Sequence, residues 1–145
     1  MDALYWYLAA NHEGSRAEGG LIIGQAALEL LAWTLLVIER KMITRSKFKS
    51  RPRTAGDNIS ALLGACHIPT SIPVKLAELH TALSQTKWTD GPSLINGVRN
   101  DLVHPEKDGH EQLAYEAWQL ALHYVELVIF YLCKYDGRYS NRTSW

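Results

Sequence analysis

Apolar residues recur at three- and four-residue intervals along almost the whole chain, and no run of strict alternation lasts long enough for a strand. That periodicity predicts an all-α fold, a helical bundle of about five to six helices. The first helix is short, over 3–10, and the second long, over 18–43, with Leu21, Ile22, Leu28, Leu31, Leu35 and Ile38 at its apolar positions. Thr54 and Asp57 have the spacing of a capping box, which starts a third helix and carries it through Leu62 and Leu63 to Cys66, ahead of the break HIPTSIP. Pro73, a residue favoured in a first helical turn, opens a fourth helix through Leu76, Leu79 and Leu83. Asp90 is a good N-cap with Pro92 just inside, and the fifth helix ends at His104 because Pro105 disfavours helical backbone in the residue before it. The last helix covers 110–135, with Gly137 as its terminating residue. There is no internal repeat.

Length and composition agree with one globular unit: 145 residues, 47% of them apolar, suffice for a sizeable core, so residues 1–145 read as a single domain. The 15 Lys and Arg balance 15 Asp and Glu, which leaves no whole-molecule field to attract nucleic acid or an anionic membrane. Any anion site must come from local clustering. Cys66 and Cys133 show no CxxC or His-spaced metal pattern and need not pair, which fits a reducing, cytoplasmic setting. The opening MDALYWYLAANHEG lacks the basic start and apolar run of a secretory signal. LIIGQAALELLAWTLLVI, at 21–38, is long enough for a membrane span, but Gln25 and Glu29 interrupt it, so it reads as a buried bundle helix with no membrane partner.

One segment departs from the average. RKMITRSKFKSRPR, residues 40–53, holds seven of the fifteen basic residues and no acid. It is either a solvated helix end and loop or a phosphate-binding surface in which Lys47, Lys49, Arg51 and Arg53 guide an RNA backbone. A second segment, INGVRNDLVHPEK at 95–107, places candidate chemistry at a helix end. Asn100 and His104 lie one turn apart on a shared face, and the long side chain of Arg99 can sweep toward them. Histidine gives and takes protons near neutrality, and arginine is a permanent fork for phosphate oxygens. These three support phosphodiester cleavage assisted by a 2′-hydroxyl, with neither metal nor cofactor. The alternative is structural: a histidine complements the dipole in a last turn, and an arginine pairs with a carboxylate. Glu29, on an otherwise leucine-rich face, needs a partner if buried; it supports Arg99 or His104, or it bonds the aromatic polar hydrogens of the last helix. His12, His67, His80, His110 and His123 show no mutual ligand spacing and receive no role. The tail KYDGRYSNRTSW either stacks on bases or, as we favour, folds back to cap the bundle.

VRNDLVHP resembles the Arg-polar-x-x-x-His motif of HEPN domains, and WYLAAN (6–11), GQAALELLAW (24–33), DGP (90–92) and YVELVIFYLCKYDGRYSNR (124–142) extend the likeness over nearly the whole chain. The resemblance implies a bacterial HEPN-like domain, often C-terminal in longer proteins, that works as a metal-independent endoribonuclease. Arg99, Asn100 and His104 match the family's functional positions. Two copies of the motif would face each other in a homodimer, doubling one general acid/base and one cation into a composite site. The implied role is a toxin or antiviral-defence effector under a sensor domain or regulatory partner. A non-catalytic dimerisation or nucleotide-binding domain is the alternative. Glu106 departs from the family, standing where toxin members paired with a nucleotidyltransferase antitoxin carry tyrosine.

Overall fold

The computed structural model describes residues 3–12, 16–104 and 110–143. Among the described residues the chain is all-helical, as the apolar periodicity predicts. The helices are α1 (Ala3–Ala10), α2 (Ala17–Ala32), α3 (Arg45–Phe48), α4 (Ala55–Ala65), α5 (Ala77–Gln85), α6 (Gly91–Val103) and α7 (Ala114–Leu132). A π-helical segment, Trp33–Glu39, prolongs α2, and a 3-10 turn, Glu111–Leu113, leads into α7. The helix beyond the expected six is α3, a single turn inside the basic segment.

α2 is the hub. It packs on α1, α4, α6 and α7, which accounts for a helix apolar on nearly every side. Leu21, Ala27 and Leu28 are fully enclosed. Ala17–Glu39 is long and apolar enough to cross a membrane, yet 56% of its apolar 18-residue stretch is buried inside the bundle. Close approach to α7 depends on Gly20: a Cβ there would collide with the indole of Trp118, whose Nε1–H donates to the Ala10 carbonyl at 2.9 Å. One tryptophan thereby joins α1, α2 and α7.

Besides the 3-10 turn that replaces the expected start of the last helix, three helix boundaries differ from the sequence reading, each for a local reason. The second helix does not run as a uniform α-helix to 43. Its last turns widen, the Arg40 N–H reaching back five residues to the Leu35 carbonyl at 2.9 Å, and this lets the consecutive residues Leu35, Leu36 and Val37 all bury. α5 begins at Ala77 rather than Pro73, because the Glu116 carboxylate of α7 accepts the Leu79 N–H at 3.0 Å and caps the first turn from a neighbouring helix. α7 stops at Leu132 without using Gly137. Lys134 takes the left-handed conformation at φ 52°, its N–H bonds the Tyr131 carbonyl at 3.2 Å, and the Tyr135 N–H bonds the Phe130 carbonyl at 2.9 Å. That is a Schellman closure, completed by the Phe130 and Tyr135 rings with centroids 5.2 Å apart.

The Thr54–Asp57 capping box and the Asp90 N-cap hold, and Ser93 makes the second cap reciprocal as well. At α4, the Thr54 N–H donates to Asp57 Oδ2 at 2.7 Å and the Asp57 N–H to Thr54 Oγ1 at 3.2 Å. At α6, the Ser93 N–H donates to Asp90 Oδ1 at 2.9 Å while Ser93 Oγ accepts the Asp90 N–H at 3.0 Å. The tail docks as favoured: the Arg142 guanidinium donates to Glu126 Oε1 at 2.7 Å and to Asn11 Oδ1 at 3.0 Å, and Thr143 is buried.

Candidate functional site

α6 positions the candidate chemistry. Leu94, Ile95 and Val98 bury its inner face completely, while Asn96, Arg99 and Asn100 are only partly buried and lie away from that face. The last turn places Arg99 and Asn100 together, Arg99 Nη1 donating to Asn100 Oδ1 at 3.3 Å. His104 caps the helix with φ −126° and ψ 80°, outside helical geometry, and its ring is exposed. Among the described residues no side chain holds that imidazole. Arg99 pairs with no carboxylate among the described residues; its guanidinium donates to an amide and carries further N–H donors.

Beside this turn lies an open cleft of about 760 Å³ that follows α6 from Ser93 past Asn96 and Gly97 to Asn100 and Asp101. Thr54, which follows the basic segment, lines one end, and His110 the other; Lys87 and Trp88 complete the wall. The cleft therefore connects the end of the basic segment with the end of α6. Trp88 lies against Gly97, where any Cβ would overlap its indole, so glycine is needed for the aromatic wall to sit this close.

The basic segment divides in two. Arg40 donates to the Ala65 carbonyl at 2.8 Å and to the Tyr131 hydroxyl at 3.1 Å, Lys49 stands 5.3 Å over the Trp33 ring, and Arg53 is bonded to Asn58 and the Asp57 carbonyl. Lys41, Arg45, Lys47 and Arg51 are exposed. Of the four residues expected to guide RNA, Lys47 and Arg51 thus remain as solvated cations, while Lys49 and Arg53 also serve the fold.

Glu29 does not join the site. It is half-buried and accepts from Gln25 Nε2 at 2.9 Å, its neighbour one turn earlier on α2, so the expected support of Arg99 or His104 is absent and an i, i+4 pair satisfies the carboxylate instead. Glu106 lies outside the described residues. Among the described residues no three His, Cys, Asp or Glu side chains converge as metal ligands.

His110, given no role from the sequence, belongs to the site. Its Nδ1 stands 2.6 Å from Asp101 Oδ2, and its ring meets Trp88 edge-on with centroids 4.9 Å apart. The signal that could have found it was not ligand spacing. Pro105 and the turn-favouring dipeptide Asp108–Gly109 point in the sequence to a chain reversal, but not to the partner that it delivers.

Residues 1–145 match the YopA C-terminal domain family. A relative from Bacillus subtilis (strain 168), described as SPbeta prophage-derived uncharacterized protein YopA, is 32% identical across 97% of this chain. The chain spans 31% of that relative's length. No solved structure matches. These findings overturn the expected HEPN membership: the family that matches along the whole chain is a different one. The physical reason is that the likeness was anchored on a short Arg-Asn-x-x-x-His spacing, which the ending of a helix before proline also produces.

Proposed function

The chain belongs to the YopA C-terminal domain family, and with its chemistry to be read from its own residues, we propose that it is a metal-independent endoribonuclease domain. The observation that carries this reading is the end of α6, where Arg99 donates to Asn100, Asn100 lines a cleft shared with Thr54, the residue after the basic segment, and the imidazole of His104 is exposed at the same helix end.

In this reading Arg99 holds the scissile phosphate and offsets the charge that grows on its oxygens. Asn100, its carbonyl engaged by Arg99, presents its amide N–H groups to the same ligand. His104 takes the proton from the 2′-hydroxyl as that oxygen attacks phosphorus, giving a 2′,3′-cyclic phosphate and a 5′-hydroxyl. The Asp101 charge is occupied by His110, which lessens its repulsion of a phosphate so close to Arg99. Lys47 and Arg51 supply sequence-independent attraction for the backbone. The relative is prophage-derived, a setting in which a toxin or antiviral-defence effector would have a use.

The test is incubation of the purified protein with mixed RNA in chelator, comparing wild type with His104→Ala. Cleavage that persists in chelator, yields cyclic phosphate ends and falls with His104→Ala is expected; equal products from both proteins would overturn the reading. A second reading, a non-catalytic interaction domain, draws on the exposed Leu4, Tyr5 and Leu8 of α1. It predicts self-association without RNA cleavage.

A further inference from the structure

Cleavage of a phosphodiester needs two proton transfers: one from the attacking 2′-oxygen and one to the departing 5′-oxygen. His104 accounts for the first. The same helix end holds a second imidazole in a different setting. An ionised carboxylate only accepts hydrogen bonds, so the 2.6 Å contact between His110 Nδ1 and Asp101 Oδ2 has the ring as donor, and Nε2 is the nitrogen left for a ligand. The two side chains are 34% and 14% exposed, at the wall of the cleft and in reach of a ligand within it. Trp88 steadies the ring by edge contact, and Trp88 is itself seated on Gly97.

A carboxylate on Nδ1 fixes both the tautomer and the plane of an imidazole and stabilises its protonated form, the arrangement a proton carrier needs. A surface ion pair kept for stability contributes little and requires neither an aromatic brace nor a cleft in front of it. Arg99 donates to Asn100, Asn100 lines the cleft together with Asp101 and His110, and His104 follows Asp101 by three residues at the end of α6.

Resting on the ribonuclease reading, we propose that His110 is the general acid of the reaction, with Asp101 as its positioning residue. The 2′-oxygen forms its bond to phosphorus as its proton passes to His104. The bond from phosphorus to the 5′-oxygen breaks, and that oxygen takes the proton from His110 Nε2. One chain then carries both proton carriers, and a second copy is not required to complete the set.

The experiment compares two substrates in wild type, His110→Ala, Asp101→Asn and His104→Ala: a ribodinucleotide, and a uridine 3′-(4-nitrophenyl phosphate) whose leaving group departs without a proton. His110→Ala is expected to lose about a hundredfold on the dinucleotide and no more than about threefold on the ester, with Asp101→Asn following the same pattern more weakly. His104→Ala is expected to lose on both. Equal loss of His110→Ala on the two substrates would mean that folding or binding had failed, and it would overturn the proposal. Full activity of His110→Ala on the dinucleotide would overturn it while leaving the ribonuclease reading intact. A wild type inactive on both substrates would remove both together.

Discussion

At the scale of single residues the candidate chemistry depends on what each side chain is left free to do. Arg99 touches an amide and no acid among the described residues, and His104 leaves helical geometry and stands in solvent. Glu29, which the pattern on α2 made interesting, is satisfied one turn away by Gln25. His104→Ala is therefore expected to leave helical circular dichroism unchanged and to lower RNA cleavage about a hundredfold. Arg99→Ala should act similarly, and Arg99→Lys should recover only part, since an ammonium lacks the planar two-pronged grip. The position of Arg99 and His104 was legible because it follows from helix periodicity and from Pro105. His110 was not, because its partner Asp101 lies across a chain reversal, and spacing along the sequence carries no sign of that contact.

At the scale of elements, α6 is held at its start by a reciprocal cap and at its inner face by full burial. Asp90 binds the Ser93 N–H and also accepts from Ser60 Oγ of α4 at 3.2 Å, so it fixes both where α6 begins and how it sits on its neighbour. Asp90→Ala should cost about 1 kcal/mol or somewhat more in urea unfolding, toward the upper part of the range for N-caps because two donors lose their acceptor. The basic segment is an element of mixed purpose. Neutralising exposed Lys47 and Arg51 should lower the slope of log affinity for single-stranded RNA against log salt by about 0.7 for each phosphate no longer neutralised, without loss of stability. Arg53→Gln should instead destabilise the domain, since Arg53 ties the end of the segment to Asn58 and the Asp57 carbonyl. An unchanged salt slope in the Lys47 and Arg51 variants would make the segment a solvated loop.

At the scale of the whole molecule, the tail and the first helix are joined through α7. Arg142 bridges Glu126, Gln119 and Asn11, and the Tyr7 hydroxyl donates to Glu126 at 2.7 Å. His123 lies buried one turn before Glu126, with Nδ1 unpartnered among the described residues. Burial holds its imidazole below the ordinary value of 6.5, with Arg142 acting in the same direction and Glu126 opposing. The unfolded chain takes up this proton first as pH falls, so its contribution to stability is complete above about 6.5 and declines below it. Urea midpoints measured from about pH 7.5 to about pH 5 should fall, and His123→Gln should flatten part of that fall. A variant with the same pH profile as wild type would show that His123 does not carry the effect.

Helix content, the two capping boxes, the break before Pro105 and the long apolar helix were all determined by sequence, because each rests on contacts within a few residues. Tertiary structure decided the rest. The start of α5 waits for Glu116 of another helix, and the close seat of α7 on α2 waits for Gly20 under Trp118. The fate of the basic residues was divided by which aromatic rings and carbonyls the fold brought beneath them. The cleft along α6 and the Asp101–His110 pair exist only once the chain has turned back on itself, since a contact across a reversal is set by packing and not by spacing.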